Sequence, residues 1–191
     1  MKMKILKYML WICCFSLALY GCKRKQTSTL SFDIQDYDGT APRVTIGLKN
    51  RSVTIDSVTG QGSIELDIKS PVYATVSTRK YESKLVFFEP GKDLKLSYSM
   101  KSGEKEIKYS GALAKEAEFL NQGNFYNRIV PNVANKGIQT YVNTSDSILM
   151  VNRQKLDGTT FSTNFKQLEN KRLLTNSLLQ LLRVYTKDTT L

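Results

Sequence analysis

From Thr29 to Ser110 apolar and polar residues alternate with period 2 between clusters of turn residues, the pattern of short strands buried on one face. The alternation places strands on Leu30/Phe32/Ile34, Val44/Ile46/Leu48, Val53/Ile55, Ile64/Leu66/Ile68, the run from Val72 to Val76, Leu85/Phe87, Leu94/Leu96/Tyr98 and Ile107/Tyr109. The breaks are Asp38-Gly39 ahead of Pro42, Gly60-Gln61-Gly62, Ser70-Pro71, Glu89-Pro90-Gly91 and Ser102-Gly103. At Glu89-Pro90-Gly91, Pro90 suits the second position of a type II turn and Gly91 the third, where φ must be positive. About eight strands spaced roughly ten residues apart predict an antiparallel β-sandwich or a partly open barrel.

After Ser110 the period becomes helical. Ala112 to Gln122 is rich in Ala, Leu, Lys and Glu, with Leu113, Ala117 and Leu120 on one face. Gly123 and Pro131 kink or limit this helix. Asn143-Thr144-Ser145-Asp146 offers caps for a second helix that ends at Asp157-Gly158. A third runs from about Asn164 to Tyr185, capped by Ser162, Thr163 or Asn164, with an apolar stripe through Phe165, Leu168, Arg172, Leu178/Leu179, Leu181/Leu182 and Tyr185. Its leucines wrap beyond one narrow face, so it calls for cover on more than one side. The fold class expected is α+β: a sheet domain over residues 30–110 followed by a helical segment over 111–191.

The first 21 residues have a different character. Lys2, Lys4 and Lys7 precede an uncharged, mostly apolar stretch of 13 residues, Tyr8 to Tyr20, and then Gly21-Cys22. A bilayer span needs about 20 apolar residues, whereas a secretory signal needs about 7 to 15 before a small residue. The expectation is a signal over 1–21 cleaved between Gly21 and Cys22. A cysteine directly after the small residue resembles the lipobox of bacterial lipoproteins, whose thiol is diacylglycerated and whose new amino group is acylated. Residues 22–29 then form a tether, in which Lys23, Arg24 and Lys25 each gain about 1 kcal/mol beside anionic headgroups.

Composition narrows the chemistry. The 191 residues carry a formal charge of +11, three of it in the signal, and the lysines are scattered among the strands. That scatter reads as a solubilising surface, and no aromatic motif for nucleic acid accompanies it. There is no histidine, and Cys22 is the one cysteine outside the signal. Disulfides, Cys-x-x-Cys chemistry and thiolate metal sites are thereby removed, along with the commonest general base. Glu104/Glu106 and Glu116/Glu118 are the close carboxylate pairs, but the first lies among lysines and the second points about 200° apart on a helix. No metal, cofactor or catalytic residue is expected, and the chain reads as not an enzyme. Phe119, Phe125 and Tyr126 either pack the first helix on the sheet or form a docking patch for a partner.

Several strings, in order, resemble the N-terminal portion of envelope thioredoxin-like disulfide reductases of the TlpA-like type. They are Val53 to Val58 before Gly60, Ser70 to Ala74, Phe87-Phe88-Glu89-Pro90-Gly91-Lys92-Asp93-Leu94, Ile107 to Gly111, and Phe165 to Arg172. The likeness covers about residues 30 to 185. It implies an association with thiol-disulfide exchange and a thioredoxin-fold partner. In that family a thioredoxin domain follows the third helix, so the chain is either an accessory domain or the front of a reductase, and no catalytic residue carries over. The expected role is a non-catalytic accessory or binding domain, lipid-anchored in the cell envelope and facing the periplasm from the outer membrane. A surface lipoprotein that binds glycan or another ligand is the alternative that the sandwich strands and basic charge allow.

Overall fold

The computed structural model describes residues 27–79, 83–101, 106–122 and 138–188. Eight strands are seen among them: β1 (Ser28–Gln35), β2 (Arg43–Ile46), β3 (Lys49–Ser52), β4 (Gln61–Leu66), β5 (Val72–Ser77), β6 (Lys84–Phe88), β7 (Leu94–Ser99) and β8 (Lys108–Ser110). Three helices follow, α1 (Ala114–Asn121), α2 (Ile138–Asp157) and α3 (Thr163–Asp188). The α+β class is therefore as expected. The strands form two four-stranded sheets, β4-β1-β7-β8 and β3-β2-β5-β6, which do not close into a barrel.

Alternation puts Leu30, Phe32 and Ile34 of β1 beside Leu94, Leu96 and Tyr98 of β7, all buried. Among the described residues this one pair is parallel, whereas every other ladder is antiparallel. Period 2 specifies which face is buried but not strand direction, so the sequence pattern did not reveal it. Ala74, Val76, Val86 and Phe88 supply the facing side from the second sheet, and the two sides share a single hydrophobic cluster.

Leu48 was expected inside the second strand but is fully exposed, in the turn that Gly47 makes with φ +57°. The strand expected on Val53/Ile55 lies instead on Lys49–Ser52, exposed throughout, while Ile55 makes only an isolated bridge to Gly62. A polar edge strand has no inward face to mark it, and its charges blunt edge-to-edge pairing.

β6 reads Lys-Leu-Val-Phe-Phe without alternation because both of its faces are buried. Val86 and Phe88 face the other sheet, and Phe87 faces the helices. As an edge strand, β6 also exposes backbone groups. Asn121 at the end of α1 covers them, its Nδ2 donating to Leu85 O at 2.8 Å and its Oδ1 accepting from Leu85 N at 3.2 Å. Asp93 begins α1 by accepting from Leu113 N at its carbonyl and from Ala112 N at its carboxylate.

α2 starts at Ile138, five residues before the expected caps. Thr144 and Ser147 instead return their hydroxyls to the carbonyls of Thr140 and Asn143 within the helix. Its end at Asp157-Gly158 and the Ser162 cap of α3, which accepts from Phe165 N at 3.2 Å, match the sequence expectation. Gly123, Pro131 and the Ser102-Gly103 turn lie outside the described residues.

Gly60 is the tightest glycine among the described residues. Its φ is +67°, its carbonyl accepts from Ile34 N at 2.9 Å, and a Cβ there would stand 2.0 Å from Ile34 O. An L-residue loses about 1–2 kcal/mol from the positive φ alone, so Gly60→Ala, with the backbone clash added, should cost at least ~2 kcal/mol in urea denaturation.

Candidate functional site

The outer face of the second sheet carries Tyr73 and Phe87, paired across β5 and β6. Phe165 of α3 meets Phe87 edge-on at 4.9 Å between centroids, and Phe161 and Phe119 extend the cluster at 5.0 and 5.1 Å. Phe119 is thus half-buried packing between α1 and the start of α3, which favours the first of its two sequence readings. Phe125 and Tyr126 lie outside the described residues, as do Gly21 and Cys22.

One turn after Phe165, the same helix face delivers a charge. Glu169 is fully buried, and Arg172 forks onto it, with Nε to Oε2 and a terminal nitrogen to Oε1, both at 2.8 Å. The Tyr73 hydroxyl also donates to Oε2, and the Arg172 guanidinium lies 5.6 Å over the Tyr73 ring. Burial is the largest influence on all three groups. It pushes the Glu169 carboxyl and the Tyr73 hydroxyl up and the Arg172 guanidinium down. The Tyr73 hydroxyl opposes that effect at Glu169 and Arg172, whereas the Glu169 charge and hydrogen bond add to it at Tyr73. Both carboxylate oxygens are engaged and no surface is offered to a substrate, so the cluster serves to lock α3 on β5.

A second network stands where β6 ends. Glu89 is 5% exposed; its Oε1 accepts from Ser162 Oγ at 2.8 Å and its Oε2 pairs with Lys92. Its carbonyl takes Ser28 Oγ at 2.8 Å and Lys92 N at 3.2 Å. Gly91 follows with φ +77°, as the type II turn requires. Burial raises the Glu89 carboxyl, but the hydrogen bonds from Lys92, Ser162 and Asn164 outweigh it and hold the group below its ordinary value.

Of the carboxylate pairs read from the sequence, Glu116/Glu118 is not assembled as a pair. Glu104 is outside the described residues, Glu116 is buried in α1, and Glu118 is exposed on the opposite side. Glu106 and Glu118, one from each pair, instead line a common open groove of about 640 Å³ with Lys84, Lys108 and Tyr109. Among the described residues no group of His, Cys, Asp and Glu is arranged to hold a metal, and no helix is long and apolar enough to cross a membrane.

Sequence reasoning overlooked Glu169 and Glu89. The signal for Glu169 was its spacing, four residues after Phe165 and four before Leu173, which puts a charge on the core stripe. Glu89 had only its place in the turn string. No family model matches the chain, and no curated protein matches it significantly.

Two outcomes follow. Arg172→Met strands a fully buried carboxylate and should destabilise by about 3 kcal/mol, while the double change with Glu169→Leu recovers much of that loss in the same denaturation assay. Glu89 has a depressed folded pKa, so its stabilisation is present above its unfolded value near 4.5 and is lost as pH falls through the folded value. The stability of Glu89→Gln should therefore be lower at neutral pH and fall less steeply than the parent's below about pH 4.5, read from midpoints across a pH series.

Proposed function

We propose that the protein is a lipid-anchored component of the cell envelope, a non-catalytic accessory domain that works beside a thioredoxin-fold partner. The observation that carries the anchor is the string Leu19-Tyr20-Gly21-Cys22 behind a basic and apolar leader. Cys22 is also the only thiol after that leader, so redox chemistry has to come from another polypeptide or domain. The ordered strings that resemble TlpA-like reductases support the thiol-disulfide setting. The far half of α3 supports a docking role. Leu174, Leu178, Leu182 and Tyr185 follow one another at helical spacing, 41 to 58% exposed, on a helix whose other face is already packed. Aliphatic and aromatic side chains in such a row are the raw material of an interface core.

The first test is the intact mass of the native protein from the membrane fraction. A mass of residues 22–191 plus three acyl chains is expected; a mass without acyl groups overturns the anchor, and one larger by about a hundred residues makes the chain the front of a reductase. Recovery of a thioredoxin-fold protein from solubilised membranes is expected with the unsubstituted protein and lost with Leu178→Asp/Leu182→Asp. Recovery of none sinks the partner.

A further inference from the structure

Three separate registers bring one set of residues to one end of the sandwich. Ser28, the first residue of β1, stands opposite Leu66, the last of β4. Val72, the first of β5, stands opposite Phe88, the last of β6, and the carbonyl of the next residue, Glu89, takes the Ser28 hydroxyl. The β2–β3 hairpin runs antiparallel to β5 from Arg43↔Ser77 to Thr45↔Thr75, so its Gly47-Leu48 turn reaches the same end. The crossover from Leu66 to Val72 and this turn together line an open groove of about 690 Å³.

The chemistry of that groove is not mixed at random. Lys49, Arg51 and Lys69 line it against a single acid, Asp67, over an apolar floor that includes Ile46 and Ile68. None of the three cations pairs with an acid among the described residues. Leu48 projects fully into solvent beside them. Cations around a projecting aliphatic side chain match a bilayer surface, where headgroup phosphates meet the cations and the leucine enters the boundary with the acyl chains.

We propose that this end of the sandwich rests on anionic phospholipid, with Lys49, Arg51 and Lys69 on the headgroups and Leu48 in the interface. The inference rests on the anchored reading and deepens it by naming the lipid class and the face. Cys22 is six residues before Ser28, a reach of at most about 20 Å. The tether therefore holds the groove end near the membrane. The opposite end, where Gly60 bonds Ile34 and Val58 is exposed, lies a further ~20 Å away along β1.

The chain has one tryptophan, Trp11, in the leader, so the processed protein offers a dark background. Leu48→Trp and Val58→Trp proteins, extracted from membranes, are reconstituted into phosphatidylcholine vesicles with or without phosphatidylglycerol and with nitroxide-labelled lipid; the unsubstituted protein sets the baseline. Leu48→Trp should shift to the blue and lose emission to the nitroxide in anionic vesicles, and Val58→Trp should do neither. Adding Lys49→Glu, Arg51→Glu and Lys69→Glu to Leu48→Trp should abolish the quenching. Equal quenching at both positions, or none at Leu48→Trp on a protein that floats with the vesicles, overturns the groove and leaves the anchor intact. Flotation only with anionic lipid, with Leu48→Trp still quenched, overturns the anchor and upholds the groove. Absence of flotation in both vesicle types overturns both, and quenching that persists after charge reversal shows apolar contact without headgroup recognition and overturns the proposal.

Discussion

The double-sided burial of β5 and β6 is the constraint from which most of this structure follows. Ala74, Val76, Val86 and Phe88 turn inward to the other sheet, while Tyr73 and Phe87 turn outward. Phe87 has no exposed surface, and burying a side chain of that size contributes about 2–3 kcal/mol. A lone sandwich would leave that ring in water. The helices are therefore a second layer over the same strands, and Leu113, Ala117, Leu156, Phe165 and Leu173 belong to one cluster with the sheet residues. The change of periodicity at Ser110 divides two kinds of secondary structure and not two cores.

Laying α3 across that face brings Glu169 into the interior, and the charge then dictates its surroundings. A carboxylate without partners there would cost several kcal/mol. Arg172 is one turn along the same helix and Tyr73 is on the strand beneath, so the helix carries its own counter-charge and borrows a hydroxyl from the sheet. Such an arrangement contributes little net stability against an apolar replacement, but it tolerates only one rotation and one register of α3 on β5. Apolar contacts alone discriminate more weakly between neighbouring registers, since leucines substitute readily for one another.

Glu89 performs the equivalent service at the corner. The turn that begins there reverses the chain, its carbonyl holds the first residue of β1, and its carboxylate holds the residue that caps α3. A negative group at the start of a 26-residue helix is also favoured by the helix dipole. One residue thus joins the entrance of the first sheet, the exit of the second and the start of the longest helix. The same corner fixes the position of Ser28, the first residue of β1.

Much of this was legible locally. Alternation revealed the inward faces of β1 and β7, and Pro90-Gly91 revealed its turn, because faces and turn dihedrals depend on near neighbours. The C-terminal stop of α2 was readable for the same reason, and the cap of α3 was narrowed to Ser162, Thr163 or Asn164, of which the structure uses Ser162. Strand direction, the edge position of Lys49–Ser52 and the exposure of Leu48 were not, since each depends on which strand lies alongside. The meeting of Glu169 with Tyr73, 96 residues apart, was beyond any local rule. By itself the sequence determined the basic and apolar run ahead of Cys22, the absence of histidine, and the periodicities that sort sheet from helix. Only the tertiary structure decided which charges share a cavity, which strand edge α1 covers and which basic residues gather at the Ser28 end of the sandwich, because those are set by long-range packing, in which residues distant along the chain become neighbours.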